Sequence, residues 1–229
     1  MHFSYCFKVT LFVLQSVCAG QSFDFPGNPS HWYAFDDKSS GGDSKITQPV
    51  ITDSSVMLVF QLRKKEFLWP YVGLGRTVNE NGFKGYNPDD SLIMEMSSNR
   101  KGRVLLKLST FDPELTKPGK PLTYRILEKQ VTVTSAFRRI AITLKEFNVA
   151  DWWKQQNEIS PEDNLLYLDS LCYVEVIVND PLRLDHTDTV IVRNMDIISP
   201  KRRFPVWTVA FVPFILVGIL LPYSIGRKK

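Results

Sequence analysis

The chain has 229 residues, of which 44% are hydrophobic, and a formal net charge of +4. All 24 acidic residues lie between positions 21 and 200, where 21 basic residues give a net charge of about −3. The positive charge therefore belongs to the two ends of the chain, which excludes nucleic acid as the expected partner of the central segment.

The N-terminus has the pattern of a secretory signal peptide, which we assign to residues 1–20. Lys8 precedes an apolar run from Val9 to Val17, and the small residues Ala19 and Gly20 follow. A cationic start, an apolar run of about ten residues and small residues at the cleavage site are typical of this signal. The pattern predicts export, with a mature chain that begins at residue 21.

The exported segment is about 180 residues long, enough for one domain with a sizeable core. Its only cysteine is Cys172, so an internal disulfide is excluded. Cys172 alternates with valines at 174, 176 and 178, which predicts a buried position on a strand rather than a nucleophile. Only His31 and His186 lie in this segment, and no catalytic triad suggests itself.

The segment from 21 to 200 has the periodicity of strands. Turn residues such as Asn81-Gly82 separate short stretches with alternating polarity, and neither a long amphipathic helix nor a repeat is present. This pattern predicts an all-β sandwich. The predicted strands share a richness in β-branched and aromatic residues, and they cover residues 56–62, 68–76, 91–96, 103–111, 130–134, 137–144, 166–178 and 189–198.

Alternation along the strands predicts an outward-facing set of large or charged side chains. On an exposed face such positions are ordinarily just solvated. Aromatic rings beside charged groups are also what a sugar-binding surface needs, because rings stack on pyranose C–H faces and charged groups pair with neighbouring hydroxyls. Trp152 adds a ring from a loop. The candidate ligand residues are Trp69, Tyr71, Glu95, Lys107, Glu175, Arg193 and Trp152.

The C-terminal stretch 204–225 contains no charged residue. At about 1.5 Å per residue it is long enough to cross a hydrocarbon core of about 30 Å. Basic clusters at 201–203 and 227–229 flank it, and Trp207 and Tyr223 lie near its ends, as in transmembrane helices. We therefore expect a single-pass membrane protein. Its domain at 21–200 would be extracytoplasmic, periplasmic or on the cell surface, and residues 226–229 would form a short cytoplasmic tail.

Several segments, in this order, resemble galactose-binding-like jelly rolls, in particular family 11 carbohydrate-binding modules and the complex I intermediate-associated domain. The sequence departs from the usual pattern at Phe137, where tryptophan is common, and at Arg193, where aspartate is common. The segments that carry the resemblance are His31-Trp32-Tyr33-Ala34-Phe35-Asp36-Asp37 with Gly41-Gly42-Asp43-Ser44, Trp69-Pro70-Tyr71-Val72-Gly73-Leu74-Gly75, residues 137–147 followed by Asp151-Trp152-Trp153, and residues 190–197.

The resemblance implies a jelly-roll β-sandwich that binds carbohydrate on its concave sheet and is not an enzyme. It also implies, as the one cofactor, a structural calcium ion that ties the ends of the domain together. Calcium prefers hard oxygen ligands, while exposed turn carboxylates are the ordinary alternative. The carboxylates on the segments that would meet at such a site are Asp24, Asp36, Asp37 and Asp196.

Two further functions are compatible with the sequence. The domain could be a sensory or adhesive ectodomain that binds a protein partner, although the short inner tail could carry no output domain. It could also be a glycosidase, which needs two carboxylates about 5–10 Å apart. The acidic pairs at 89–90 and 162–163 lie in turn-like contexts, and nothing in the sequence positively supports this third function.

Overall fold

Strands dominate the computed structural model, which describes residues 25–65, 69–78, 84–117 and 119–200. One short α-helix, α1 at Asp151–Gln156, and several single-turn 3-10 helices accompany them. The strands of the described residues are β1 Trp32–Asp36, β2 Lys45–Ile46, β3 Val50–Ile51, β4 Val56–Gln61, β5 Val72–Thr77, β6 Ser91–Ser98, β7 Gly102–Thr110, β8 Arg125–Val133, β9 Arg138–Thr143, β10 Asn148–Val149, β11 Leu171–Val178 and β12 Thr187–Ile198.

The strands form two antiparallel sheets, and the described residues up to Ser199 belong to one compact unit. Sheet A has the strand order β1-β5-β11-β7-β8-β10. Sheet B has the order β2-β4-β12-β6-β9, with β3 also paired with β4. The prediction of an all-β sandwich is confirmed.

The core fills the space between the inner faces of the two sheets. Val104, Leu106 and Leu108 of β7 contribute from sheet A, and Met94 and Met96 of β6 contribute from sheet B, all fully buried. Each sheet needs a partner for its apolar face, and stacking two sheets face to face satisfies both. Glu95 of β6 and Lys107 of β7 alternate with these core residues and so face outward, as predicted.

Two predicted strands begin later than the sequence analysis placed them. The segment predicted at 68–76 becomes a strand only at Val72, because Pro70 lacks the N–H that a strand interior requires. The segment predicted from 166 becomes a strand only at Leu171, since Leu168–Ser170 forms a 3-10 helix and Tyr167 has a positive φ of 46°. Trp69 and Tyr71 therefore precede β5 rather than lying in its middle.

A buried arginine fixes the loops at one end of sheet A. The Nε of Arg125 donates to Asp112 at 2.9 Å, and its two terminal nitrogens each donate to Asp163 at 3.0 Å. The guanidinium lies 5.2 Å from the ring of Trp153 and 4.8 Å from the ring of Tyr167. This arrangement ties α1 and two loops to the start of β8.

A second buried arginine closes the turn between β11 and β12. Arg183 and Asp188 are fully buried and pair at 2.8 Å. The same guanidinium donates to the Ser98 hydroxyl at 2.6 Å and to the carbonyl of Arg100 at 2.8 Å. Such a pair is strongly destabilising to break, because the remaining charge stays buried without its partner.

Cys172 is the one cysteine among the described residues, and it is buried as predicted. Burial raises the pKa of its thiol to about 11, which keeps the sulfur in the unreactive thiol form.

In the described part of the chain, no helix is both long enough and apolar enough to cross a bilayer. The predicted signal peptide at 1–20 and the predicted transmembrane helix at 204–225 lie outside the described residues.

Candidate ligand-binding face

The outer face of sheet A carries a continuous strip of aromatic rings. The Phe35 ring centre lies 6.3 Å from that of Tyr71 and 6.0 Å from that of Tyr33. The strip continues from Tyr33 to Tyr173 at 6.3 Å and from Tyr173 to Tyr124 at 5.5 Å. These separations are those of favourable aromatic pairs. We call this surface, defined by Tyr33, Phe35, Tyr71, Tyr124 and Tyr173, the aromatic face.

Two glycines on β5 make room for the strip. Gly73 lies opposite Phe35 and Gly75 lies opposite Tyr33 in the pairing of β5 with β1. A Cβ atom on Gly73 would collide with the Phe35 ring, and one on Gly75 would collide with the Tyr33 ring. The rings of β1 therefore lie across the backbone of β5, a close approach that only glycine permits.

A polar row crosses sheet A beside the rings. The pairing registers align Glu175 of β11 with Lys107 of β7, and Lys107 with Glu128 of β8. Lys107 Nζ lies 2.7 Å from Glu175 Oε2, and the Tyr33 hydroxyl donates to Glu175 Oε1 at 2.9 Å. Burial, followed by the neighbouring Glu175 carboxylate, raises the pKa of Tyr33 far above its ordinary value. Glu175 is thus a fixed acceptor that orients both of its neighbours.

A groove of about 580 Å³ lies where the polar row meets β10 and α1. Burial raises the pKa of Glu128, and the side chain of Trp152 forms a hydrogen bond with its carboxyl group. Hydrogen-bond donors and acceptors, including side chains of positive and negative charge, surround the groove, which suits a ligand rich in hydroxyls. The lining residues are Leu105, Glu128, Lys129, Gln130, Asn148, Val149, Asp151, Lys154, Pro161 and Asn164.

Four of the predicted ligand residues come together on this surface. Tyr71 lies in the aromatic strip, and Lys107 and Glu175 form the central ion pair of the polar row. Trp152, 42% exposed, reaches the row through its hydrogen bond with Glu128. Trp69 lies two residues before Tyr71 and is 74% exposed.

The other two predicted residues lie on the opposite sheet. Glu95 of β6 and Arg193 of β12 are cross-strand partners in sheet B. The Arg193 guanidinium lies 3.9 Å from the ring centre of Phe137. The predicted set is therefore divided between two outer faces, because strand alternation tells inward from outward residues but does not tell one sheet from the other.

Two of the predicted calcium ligands, Asp36 and Asp37, bond to other groups of the protein. The buried carboxylate of Asp37 accepts from the Ser44 backbone N–H at 3.0 Å, the Ser44 hydroxyl at 2.7 Å and the Tyr71 N–H at 3.2 Å. Asp36 caps a 3-10 helix and pairs with Lys38 at 2.9 Å. Both carboxylates therefore have partners within the protein.

Among the described residues, Asp196 does not form a metal-binding group with Asp36 and Asp37. Asp196 is on β12 of sheet B, whereas Asp36 ends β1 of sheet A, and Asp24 lies outside the described residues. Among residues 25–65, 69–78, 84–117 and 119–200, no group of three or more His, Cys, Asp or Glu side chains could hold a metal ion. Calcium binding stays a prediction.

Most residues of the aromatic strip were not predicted from the sequence. Tyr33, Phe35, Tyr124 and Tyr173 were not among the predicted ligand residues, and neither was Glu128. The usable signal was the alternation of Gly73 and Gly75 in a strand, because two glycines on one face leave space for rings from a neighbouring strand.

No protein-family model matches the sequence, and no curated protein matches it. Solved structures do. A family 11 carbohydrate-binding module from Clostridium thermocellum, in complex with a β-1,3-1,4-mixed-linked tetrasaccharide, is 14% identical with a TM-score of 0.55, and the match covers 79% of this chain and 96% of that chain. The family 11 module of a cellulosomal cellulase of the same organism is 12% identical with a TM-score of 0.56, covering 80% and 95%. The described chain therefore has the β-sandwich fold of the family 11 carbohydrate-binding modules.

Proposed function

We propose that this protein is a non-catalytic carbohydrate-binding module, held to a membrane by residues 204–225 and displayed on the extracytoplasmic side. The glycan binds on the aromatic face. The observation that carries the proposal is the joint placement of an aromatic strip and an oriented Lys107–Glu175 pair on one sheet.

The chemistry of the surface suits a sugar chain. Aromatic rings offer flat apolar contact to the C–H faces of pyranoses. Charged and amide groups beside the aromatic rings form hydrogen bonds with the hydroxyl groups of the sugar. The bonds to ionised side chains are the stronger ones. Six strands spaced about 4.8 Å apart make a surface roughly 24 Å across, which favours an oligosaccharide over a single sugar.

The fold likeness supports carbohydrate as the ligand class. One of the similar modules is described in complex with a β-1,3-1,4-mixed-linked tetrasaccharide. At 14% identity the two proteins share few side chains, so that tetrasaccharide is the first probe for this chain rather than its assigned ligand.

The polar row favours binding over glycoside hydrolysis. A glycosidase needs one carboxyl group that delivers a proton and a second carboxylate about 5–10 Å away. Lys107 lies between Glu175 and Glu128 in the register and pairs with Glu175 at 2.7 Å. Glu175 is therefore engaged by Lys107 and by the Tyr33 hydroxyl, which leaves it poorly placed to act as a nucleophile or base.

The test of binding is a glycan array, followed by calorimetry on the detergent-solubilised full chain. The array includes the mixed-linked tetrasaccharide. We expect at least one neutral or charged glycan to bind the unaltered protein, and Tyr33→Ala to weaken that binding. Phe137→Ala is the matched control, because it removes a ring from sheet B. Equal losses in the two variants, or no glycan bound at all, would contradict the proposal.

The membrane anchor has its own test. Residues 204–225 are uncharged and flanked by basic clusters, so the protein should stay in the membrane fraction through high-salt and carbonate washes. Truncation after Ser199 should release a soluble protein. Recovery of the full chain mainly in the soluble fraction would refute the anchor and leave the proposal for the aromatic face intact.

A further inference from the structure

One edge of sheet A is only partly covered. Strand β8 has nine residues, and its outer edge pairs with β10 at Leu127 and Glu128 alone. In the part of the chain that the structure describes, no strand pairs with the outer edge of the stretch 129–133. An uncovered strand edge offers a row of N–H and C=O groups to another chain.

The direction of the free groups follows from a neighbouring hydrogen bond. The Ala150 N–H donates to the Ile126 carbonyl at 2.9 Å, so the backbone groups of residue 126 point away from β7. In an antiparallel strand, alternate residues point their backbone groups to the same side. Gln130 and Thr132 therefore present their N–H and C=O groups outward, while Val131 bonds toward β7.

The uncovered stretch lacks the features that protect the two edges of sheet B. Strands β2 and β3 at one edge of sheet B have two residues each, and β9 at the other edge carries the exposed Arg138 and Arg139. Short strands and edge charges both discourage pairing. Residues 129–133 are instead rich in β-branched residues, and the one charge, on Lys129, lies 3.6 Å from Glu146 of the same chain.

The ends of the described chain are not positioned to cover this edge. Phe25 packs against Trp32 of β1, which is the opposite edge strand of sheet A, with ring centres 5.8 Å apart. Ile198 ends β12 in the middle of sheet B. Neither end of the described chain therefore covers this edge, which is open to pairing with a second molecule.

We propose that the second molecule is another copy of this chain and that the stretch 129–133 is a homodimer interface. Five uncovered residues centred on Val131 pair antiparallel with themselves about a two-fold axis. Gln130 then lies opposite Thr132 of the copy, and the pair exchanges both backbone hydrogen bonds on each side of the axis. The paired segment also has the length of the uncovered stretch, because Asn148 of β10 already pairs with Glu128, the residue that precedes it.

The side chains at the axis agree with this arrangement. Val131 is partly buried and packs against the core, and in the dimer it meets its own copy. A directly opposed pair of β-branched residues is favourable in antiparallel sheets. Because the paired stretch is short, the dimer forms reversibly and depends on concentration.

Cysteine cross-linking at the axis tests the geometry. The Val131→Cys variant of the full chain, with Cys6→Ser and Cys18→Ser, should form a covalent dimer under mild oxidation. The Cα atoms of such an opposed pair lie about 4.5 Å apart, within the disulfide range of about 4.4–6.8 Å. Ala141→Cys on β9 is the control, since it is an exposed strand position at a different edge. The native Cys172 is buried and does not compete.

A proline substitution tests the hydrogen bonds. Gln130→Pro removes an N–H that points outward and so leaves the pairing of β8 with β7 intact. Sedimentation should show a monomer for this variant at concentrations at which the unaltered protein dimerises, with thermal unfolding little changed. Equal cross-linking of Val131→Cys and Ala141→Cys, an unaltered protein that is monomeric at every concentration, or Val131→Cys linked to a different polypeptide would each overturn the proposal.

Discussion

The outer faces of the two sheets follow the same alternation of side chains and yet present different surfaces. On sheet A, the rings of Tyr33 and Phe35 lie over Gly75 and Gly73 of the neighbouring strand, beside the Lys107–Glu175 pair. On sheet B, Glu95 and Arg193 face each other, and the one ring in contact with Arg193 is that of Phe137 at its edge.

The physical difference lies in the strands next to the rings. Gly73 and Gly75 leave the outer side of β5 empty, so side chains of β1 cover it. The central strand of sheet B, β12, carries Ile191 and Arg193 on its outer side, and these side chains cover their own strand. A glycine pair that costs strand stability thus makes room for aromatic rings over the outer side of β5.

The largest expected effect comes from filling the space on β5. Gly75→Val places a branched side chain where the Tyr33 ring lies, and it should lower the free energy of unfolding by about 1–3 kcal/mol. Displacement of Tyr33 should also weaken glycan binding by at least about tenfold, equivalent to about 1.4 kcal/mol. Denaturant unfolding and calorimetry measure the two effects.

Ala141→Val is the matched control on the outer face of sheet B. This position is exposed and faces solvent, so both stability and glycan affinity should stay within error of the unaltered protein. If Gly75→Val binds as well as Ala141→Val, the rings above β5 take no part in recognition.

The next effect in size separates the Lys107–Glu175 ion pair of sheet A from the cross-strand neighbours Glu95 and Arg193 of sheet B. Glu175→Gln keeps an oxygen for the Tyr33 hydroxyl but leaves Lys107 without its anion, and it should cost about 1–3 kcal/mol of stability. Glu95→Gln in sheet B should cost no more than about 0.5 kcal/mol, because among the described residues the Glu95 carboxylate forms no ion pair and is only the register partner of Arg193. Glycan affinity should fall for the first variant alone, and a fall in both would remove the distinction between the faces.

Much of the sandwich could be predicted from the sequence. Alternation along β6, β7 and β9 placed their aliphatic residues in the core, and Cys172 is buried as expected. The short strands β2, β3 and β10 escaped prediction because two residues carry no periodic signal. The predicted start of β5 at residue 68 was wrong, because Pro70 cannot donate the backbone hydrogen bond that the apolar pattern around it would require.

The candidate site was predictable only in part, for a geometric reason. Alternation assigned Lys107, Glu175, Glu95 and Arg193 alike to outer faces, but which strands share a sheet is decided by long-range pairing. β11 comes next to β7 in space although they are distant in sequence, while β6 precedes β7 in the chain and lies in the other sheet. No local pattern contains that information.

A smaller effect is expected from the two exposed tryptophans. Trp69 is 74% exposed and Trp152 is 42% exposed, so Trp69→Ala should leave thermal unfolding unchanged. If its ring extends the aromatic face, glycan affinity should fall several-fold, since an aromatic contact contributes about 0.5–1.5 kcal/mol. Trp152→Ala should lower both affinity and stability, because its side chain also bonds to Glu128. A marked drop in the melting temperature of Trp69→Ala would place that ring in the core.

The smallest effect is a difference in pH dependence between Glu128, in the groove of sheet A, and Glu146, at the surface. Burial raises the pKa of Glu128 above its ordinary value of 4.5, so the folded protein holds this proton more tightly than the unfolded chain. The stability it contributes is complete below pH 4.5 and declines as the pH rises through the raised value. Glu128→Gln should therefore be more stable than the unaltered protein at neutral pH, and the two melting temperatures should converge toward pH 4.

Glu146 gives the opposite sign and serves as the control. The Thr143 N–H donates to its carboxylate at 3.1 Å, and this bond, with help from Lys129, lowers the pKa of Glu146. Its contribution is complete above pH 4.5 and is lost as the pH falls through the lowered value. Glu146→Gln should thus be less stable than the unaltered protein at neutral pH, with the gap closing in acid. Melting temperatures measured from pH 3 to pH 8 distinguish the two, because a groove that is open to water would leave Glu128→Gln with no gain at neutral pH.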